Sequence, residues 1–256
     1  MNESHSLNEE GVIEGRNAVI EALRAGRTID KVYILKDTND PAMRRIASKV
    51  KSAGAVVVDT DRRKLDQMSR TGAHQGVIAM VAVHEYVSIA DIIERAKQAG
   101  QAPLIVVCDE LSDPHNLGAI IRTVDAAGAH GVIIPKRRSV GLTATVAKTS
   151  AGAVEYVPIA RVSNVSAALR ELKKEGIWVY GTSADASNDM YKTDLKGPTA
   201  IVIGNEGKGI GRLVAENCDD MISIPMAGKM SSLNASTAAA VLLFEAARQR
   251  NLEKNG

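Results

Sequence analysis

Residues 200–211 read AIVIGNEGKGIG. An apolar run breaks into four glycines, Gly204, Gly207, Gly209 and Gly211, with Glu206 among them. Glycines let another molecule approach the main chain closely, so the stretch looks like a cradle. Two phosphate-binding patterns fail on it. Counting from Gly204, a Walker A loop needs Lys after Gly209, where Ile210 stands; the dinucleotide pattern from Gly207 needs glycine at 212, where Arg212 stands. The carboxylate opposes a polyphosphate as well, because like charges at contact range in a partly buried loop repel by several kcal/mol. A ligand with hydroxyl or amine donors, or a cation, suits the segment better. From these residues alone, a plain glycine turn with Glu206 in water fits equally well.

Two further stretches place polar residues at strand-to-helix junctions. In DELSDPHNLGAIIRTVDAAGAHGVIIP (109–135), Asp113-Pro114 marks a turn and Asn116 makes a good N-cap. Leu117, Ile120, Ile121 and Val124 then form an i, i+3, i+4, i+7 stripe that Gly128 ends. Arg122 stands off most of that stripe by about 120° or more at 100° per residue. Its helix starts just past a strand's carboxyl end, where ligands bind in open α/β sheets. His115 has no Cys or Asp partner in view for a triad. In ISIPMAGKMSSLNASTAAAVLLFEAARQR (222–250), Ser231, Ser232, Leu233 and Asn234 make a polar bend before an alanine-rich helix that Asn234 or Ser236 can cap. Taken singly, each stretch also reads as an ordinary capped helix.

The elements that must position these residues alternate between helical and strand patterns. Residues 16–26 and 41–54 predict helices. KVYIL (31–35), AVVV (55–58) and GVIAMVAV (76–83) predict strands, giving a small α/β unit over 1–84. Residues 85–102 read as a linker with a polar-faced helix. From 103 to 256 the pattern restarts, with strands at 104–110, 131–135, 154–160, 177–183, 199–204 and 221–225. Near-continuous β-branched strands mark a parallel sheet covered on both faces, so a doubly wound α/β domain is expected.

Charge limits the partners that can be inferred. Residues 1–84 hold 13 Lys and Arg against 11 Asp and Glu, and the remainder holds 19 against 19, so bulk charge gives no sign of nucleic acid. Short basic runs remain at Arg44 and Arg45, at 62–64 and at 136–138, and each could touch phosphates. Aromatics at 3% argue against a surface built on base stacking. Cys108 and Cys218 cannot alone form a zinc site or a disulfide framework and read as buried reduced thiols. The opening MNESHSLNEE reads as a frayed polar tail, and no stretch is long and apolar enough to span a bilayer. A cytoplasmic protein is expected, with neither metal nor membrane.

Together, SDPHNLGAIIRTVDAAG, IVIGNEGKGIG and ISIPMAGKMSSLNAS resemble, in order and spacing, the three motifs of the SpoU (TrmH-type) RNA ribose 2′-O-methyltransferases. EGRNAVIEAL and GAHQGVIAMV are similar to the small substrate-binding domain of the subgroup that methylates a guanosine of 23S rRNA. The resemblance implies a SPOUT-type parallel sheet with a C-terminal trefoil knot over 103–256, an N-terminal RNA-binding α/β domain, a homodimer, and S-adenosylmethionine as cofactor. It implies Asn116, Arg122, Glu206, Ser232 and Asn234 as catalytic residues. Thr182, Gly204, Ile224, Met226 and Leu233 would contact the cofactor, and Arg122 the RNA. Read from the residues, Arg16 and His74 could also touch RNA, although a structural hydrogen bond is the commoner role for a turn histidine. The family proposal that the residue at Arg122 acts as base conflicts with a guanidinium that stays protonated; Arg122 is expected instead to steady developing oxyanion charge, oriented by Asn116 and Glu206. A tRNA methyltransferase and a non-catalytic RNA-binding assembly factor are the competing readings. A dehydrogenase is disfavoured by the glycine spacing.

Overall fold

The computed structural model describes residues 11–37 and 40–254. The polar opening segment, read as a frayed tail, lies outside them. The chain divides into two units, one of residues 1–85 with 141–144, the other of 86–140 with 145–256.

In the small unit the elements run β1 (Val12–Glu14), α1 (Arg16–Arg24), β2 (Ile29–Leu35), α2 (Pro41–Ser52), β3 (Val56–Thr60), α3 (Arg62–Met68) and β4 (Val77–Val81). The strands lie in the order β1-β4-β2-β3, with β4 antiparallel to both neighbours and β2 parallel to β3. α2 forms where the sequence predicts it: Asp40 accepts the Ala42 N–H at 2.8 Å, and Pro41 occupies the first turn, where its missing N–H costs nothing. Met43, Ile46 and Val50 on its inner face meet Val32, Ile34, Val77 and Ala79 in one core. The basic run at 62–64 opens α3, which Asp61 caps through the Lys64 N–H.

The large unit holds α4 (Ile89–Gln98), β5 (Leu104–Cys108), α5 (Pro114–Ala126), β6 (Gly131–Pro135), α6 (Ala144–Thr149, whose first residue falls in the other unit), β7 (Ile159–Val162), α7 (Val165–Lys174), β8 (Trp178–Thr182), β9 (Asn188–Asp189), β10 (Thr199–Ile203), α8 (Arg212–Ala215), β11 (Asp220–Ser223) and α9 (Ala235–Lys254). Its seven strands run β7-β6-β5-β10-β8-β11-β9, every pairing parallel. β5 and β10 sit at the centre, each with five buried residues. Ile105, Val107, Ala200 and Val202 pack against α4 and α7. By alternation, Val106 and Ile201 face the other side, where α5 and α9 pack on each other and α9 meets β10.

Two expectations are corrected. Residues 85–102 are no linker: Ser88 and Asp91 form a capping box, and Ile89, Ile92, Ile93 and Ala96 enter the large core. Three buried isoleucines are worth about 1.5–3 kcal/mol each, enough to commit the helix to that unit. Residues 154–160 are not one strand. Gly152, at φ 88°, starts a short 3₁₀ turn over Ala153–Glu155, and the strand begins only at Ile159, after Pro158. Among the described residues, no helix is long and apolar enough to cross a membrane.

Candidate active site at the carboxyl ends of the central strands

β10 ends at Ile203, and from Gly204 the chain turns straight into the glycine loop. Asn205 and Gly209 close it by reciprocal backbone bonds, Asn205 N–H to Gly209 O at 3.0 Å and Gly209 N–H to Asn205 O at 2.7 Å. Gly209 has φ 66°, the left-handed region that glycine enters without strain. A Cβ on Gly204 would fall within contact of the Gly209 carbonyl and the Ile210 nitrogen. The loop is tied outward at two points that the sequence reading missed. Asn205 accepts the Gly207 N–H at 3.0 Å and donates to the Glu110 carbonyl at 3.2 Å. Asp109, buried at the end of β5, accepts the Gly211 N–H at 2.8 Å. Burial pushes the Asp109 carboxyl up, the Gly211 N–H pulls it down, and the neighbouring Glu110 charge adds to the rise.

The loop forms one wall of a cavity of about 530 Å³. Thr182, Gly204, Ile224, Met226 and Leu233 all line it, as do Glu206 and Ser232. The end of β8, β11 with the end of α8, and the bend before α9 supply the remaining walls. Its size falls in the usual range for a small-molecule site. Glu206 and Asp185 bring carboxylates, and Lys208 is the one basic side chain of the lining among the described residues. A ligand bearing a positive centre and neutral hydrogen-bonding rings fits that donor set; a polyanion does not.

Beside the cavity, three polar side chains converge. Asn116 Nδ2 donates to Glu206 Oε1 at 2.8 Å, and Asn234 Nδ2 donates to Asn116 Oδ1 at 2.9 Å and also to Glu206 Oε1. Asn234 Oδ1 accepts from Ser236 N at 3.0 Å and Thr237 N at 3.3 Å, so the same residue caps α9. Asn116 is not the N-cap of α5. Asp113 takes that place by accepting the His115 N–H at 2.8 Å, and Asn116 turns inward from the first turn, 5% exposed. The N-cap exchange is what frees its amide for Glu206.

Arg122 is placed apart from this cluster. It is exposed and makes no hydrogen bond or ion pair among the described residues, so Asn116 and Glu206 do not orient it. The reason is helical geometry: six residues separate Arg122 from Asn116, a rise of about 9 Å and a turn of about 240°. Ser232 lines the cavity as an exposed residue. The thiols take no part, since burial pushes both Cys108 and Cys218 up to about 12.

Arg16 and His74 belong to the small unit, where they line a second cavity of about 560 Å³ with Leu35, Met43, Arg62 and Gln75. Gln75 accepts the Arg16 backbone N–H with its side chain and the Arg16 Nε with its carbonyl, both at 3.2 Å, and Asp40 meets the guanidinium at 2.6 Å. His74 is 5% exposed. Its Nδ1 accepts the Gly76 N–H at 3.0 Å and its Nε2 faces Asp66 at 2.9 Å. With both ring nitrogens engaged, His74 has no free edge for RNA; it holds the turn from which Gln75 fixes Arg16.

Residues 103–244 match the SpoU rRNA Methylase family, and residues 12–87 match the RNA 2′-O ribose methyltransferase substrate-binding family. A Bacillus subtilis (strain 168) protein named for the TrmH family of tRNA/rRNA methyltransferases, YacO, is 50% identical over 93% of this chain and 95% of its own length. The 23S rRNA (guanosine-2′-O-)-methyltransferase RlmB of Ralstonia nicotianae is 44% identical over 96% and 98%. Among solved structures, the SpoU methyltransferase AviRb of Streptomyces viridochromogenes in complex with AdoMet aligns with TM-score 0.61 and 27% identity, covering 95% of this chain and 91% of that one. Family matches to both parts of the chain, full-length relatives and an α/β architecture shared with cofactor-bound structures agree: the chain belongs to the SpoU rRNA methylase family, RNA methyltransferases that use S-adenosylmethionine.

Proposed function

We propose that this enzyme methylates the 2′-hydroxyl of a guanosine ribose in 23S rRNA. The observation that carries the methyl-transfer site is the junction of Glu206 with Asn116 and Asn234, which couples the cavity loop to the starts of α5 and α9. The Ralstonia relative supports 23S rRNA and guanosine. S-adenosylmethionine, when bound, supplies an electrophilic methyl group on a sulfonium. Thr182, Gly204, Ile224, Met226 and Leu233 would hold it, chiefly through main chain and apolar contact, with Glu206 as the nearby negative charge.

Asn116 and Asn234 hold Glu206 in place with amide donors, which pre-organises the loop. Positioning of this kind is worth several kcal/mol in bimolecular reactions. Arg122, free of any described carboxylate, reaches toward solvent where RNA would lie, and its permanent charge steadies the oxyanion that develops at the ribose. It does not accept the proton, because a guanidinium stays protonated. Ser232, on the cavity rim, borders both ligands. Arg16, fixed by Gln75 and Asp40, contacts RNA through the small unit.

The same reading includes a C-terminal trefoil knot, a cytoplasmic location and a homodimer. The course of residues 224–235 past the glycine loop supports the knot. Exposed Phe244 and Leu252 on α9 support an apolar contact with a second copy. A tRNA substrate is the second reading, favoured by relatives named for tRNA and rRNA alike. Mass mapping of 2′-O-methyl nucleotides in rRNA and tRNA, with and without the gene, decides between them: loss of one 23S guanosine mark is expected, and loss of a tRNA mark alone would replace the proposal.

A further inference from the structure

The basic run at residues 136–138 follows β6 and has no part in the chemistry above. We propose that Lys136, Arg137 and Arg138 form a phosphate-binding ridge that holds the RNA backbone next to the nucleotide being methylated. The inference rests on the reading that the large unit acts on RNA.

The ridge presents cations from a fixed frame. Arg137 is exposed and Lys136 partly so, and neither side chain has a carboxylate partner among the described residues. Unpaired charges commonly sit on loose loops, but this backbone is anchored. Lys136 N–H bonds Val162 O at 2.8 Å, and Val140 N–H bonds Leu111 O at 2.9 Å. The buried Ser139 hydroxyl donates to the same Leu111 carbonyl at 2.9 Å.

A second observation lies at the join with β5. Glu110 and Arg138 both adopt left-handed backbone, φ 55° and 56°, and their side chains meet at 3.0 Å. Such conformations are uncommon for long side chains and gather at ligand sites, where the surrounding structure imposes them. The Glu110 carbonyl also accepts from Asn205, the residue that closes the glycine loop. The ridge is thus bonded to the segment leading into α5 and, through Glu110, to the cavity wall. β6 and β10 flank β5, so the strands that lead into the ridge and into the glycine loop lie about 10 Å apart. That places a row of cations beside the cavity mouth, a short distance along the backbone from a ribose presented there.

Filter binding over a KCl series, with in vitro transcribed 23S rRNA and a tRNA transcript as probes, tests this with the full chain and a Lys136→Gln/Arg137→Gln double variant. Removing two phosphate contacts should flatten the slope of log affinity against log salt by about 1.4–1.8, which is about 25- to 60-fold weaker binding near 0.1 M salt. S-adenosylmethionine affinity and melting temperature should stay at wild-type values. Arg138→Gln should flatten the slope less, because Glu110 already offsets that charge. An unchanged slope in the double variant, with wild type still methylating RNA, overturns the ridge and leaves the methyltransferase reading standing. A fall in melting temperature or donor affinity also overturns it, by making the residues structural. Wild type binding neither RNA overturns both proposals. A flattened slope with no methyl transfer by wild type keeps the ridge and refutes the catalytic reading.

Discussion

The two cavities have nearly the same size, about 530 Å³ in the large unit and about 560 Å³ in the small one, yet their rims are opposite in charge and construction. The first is walled by backbone, apolar side chains and carboxylates. Its central acid, Glu206, is held by two amides. The second carries Arg16 and Arg62 over Leu35 and Met43, and one of those guanidiniums is held by a carbonyl and a carboxylate. Volume therefore says little about the occupant. The polar atoms that are fixed in place say most, and here they sort a cationic methyl donor from a polyanion. If that sorting is right, damage to one cavity should leave the other ligand's affinity untouched.

The sharpest break is Arg122→Ala, which touches neither cavity wall. Methyl transfer in a single turnover should fall by about 10²–10³-fold, the usual cost of losing one oxyanion-stabilising donor. Donor affinity and melting temperature should hold, because Arg122 is exposed and makes no hydrogen bond or ion pair among the described residues. Wild-type transfer in this variant would remove Arg122 from the chemistry.

Gly204→Ala comes next. The added methyl would collide with backbone at residues 209 and 210, which has no flexible end to move aside. Overpacking of this kind costs about 1–3 kcal/mol. Calorimetry should show donor binding lost or severely weakened, while RNA retention through the small unit persists. Equal loss of both ligands would join the two cavities into one functional unit and break the comparison.

Gln75→Ala tests the converse. It removes the side-chain acceptor for the Arg16 backbone but keeps the carbonyl that holds Nε. A hydrogen bond of this type is worth about 0.5–1.5 kcal/mol, so RNA affinity should drop a few-fold to about tenfold with donor affinity unchanged. A change confined to donor affinity would reverse the assignment of the two sites.

The two regions were not equally legible in the sequence. The glycine loop, the bend at 231–234 and the stripe on α5 announce themselves because glycine geometry, helix caps and the 3.6-residue period are local properties. What holds the loop in place is not local. Asp109 bonds Gly211 across 102 residues, and Asn205 bonds Glu110 across 95. No spacing rule reports such pairs. Asn116 shows the limit from the other side. Its type suits an N-cap, but Asp113 with Pro114 wins that position, and only the fold reveals that Asn116 serves Glu206 instead. The separation of Asn116 from Arg122 was available from helical period alone, and it argues against the expectation that one orients the other. In the small unit, His74 leaves two roles open, an RNA contact and the commoner structural hydrogen bond of a turn histidine, and only the fold shows both its nitrogens engaged.

The smallest expected effect concerns Asp109, which serves the first cavity without lining it. Burial raises its pKa above the unfolded carboxylate value of about 3.9. Its ionised form is therefore less favourable in the fold than in the unfolded chain. Below about pH 3.9 both states are protonated and the charge costs nothing; as pH rises through the unfolded value toward the raised folded one, the penalty accumulates, and above that it is complete. Asp109→Asn keeps an oxygen to accept the Gly211 N–H and removes the charge. The variant should melt slightly above wild type at neutral pH, with the difference fading on acidification and donor affinity unchanged throughout. A variant that melts lower at neutral pH would mean that the loop needs the charge itself. The glycine loop would then be held electrostatically from below, as Glu206 is held by amides from the side, and the desolvation account of Asp109 would fail.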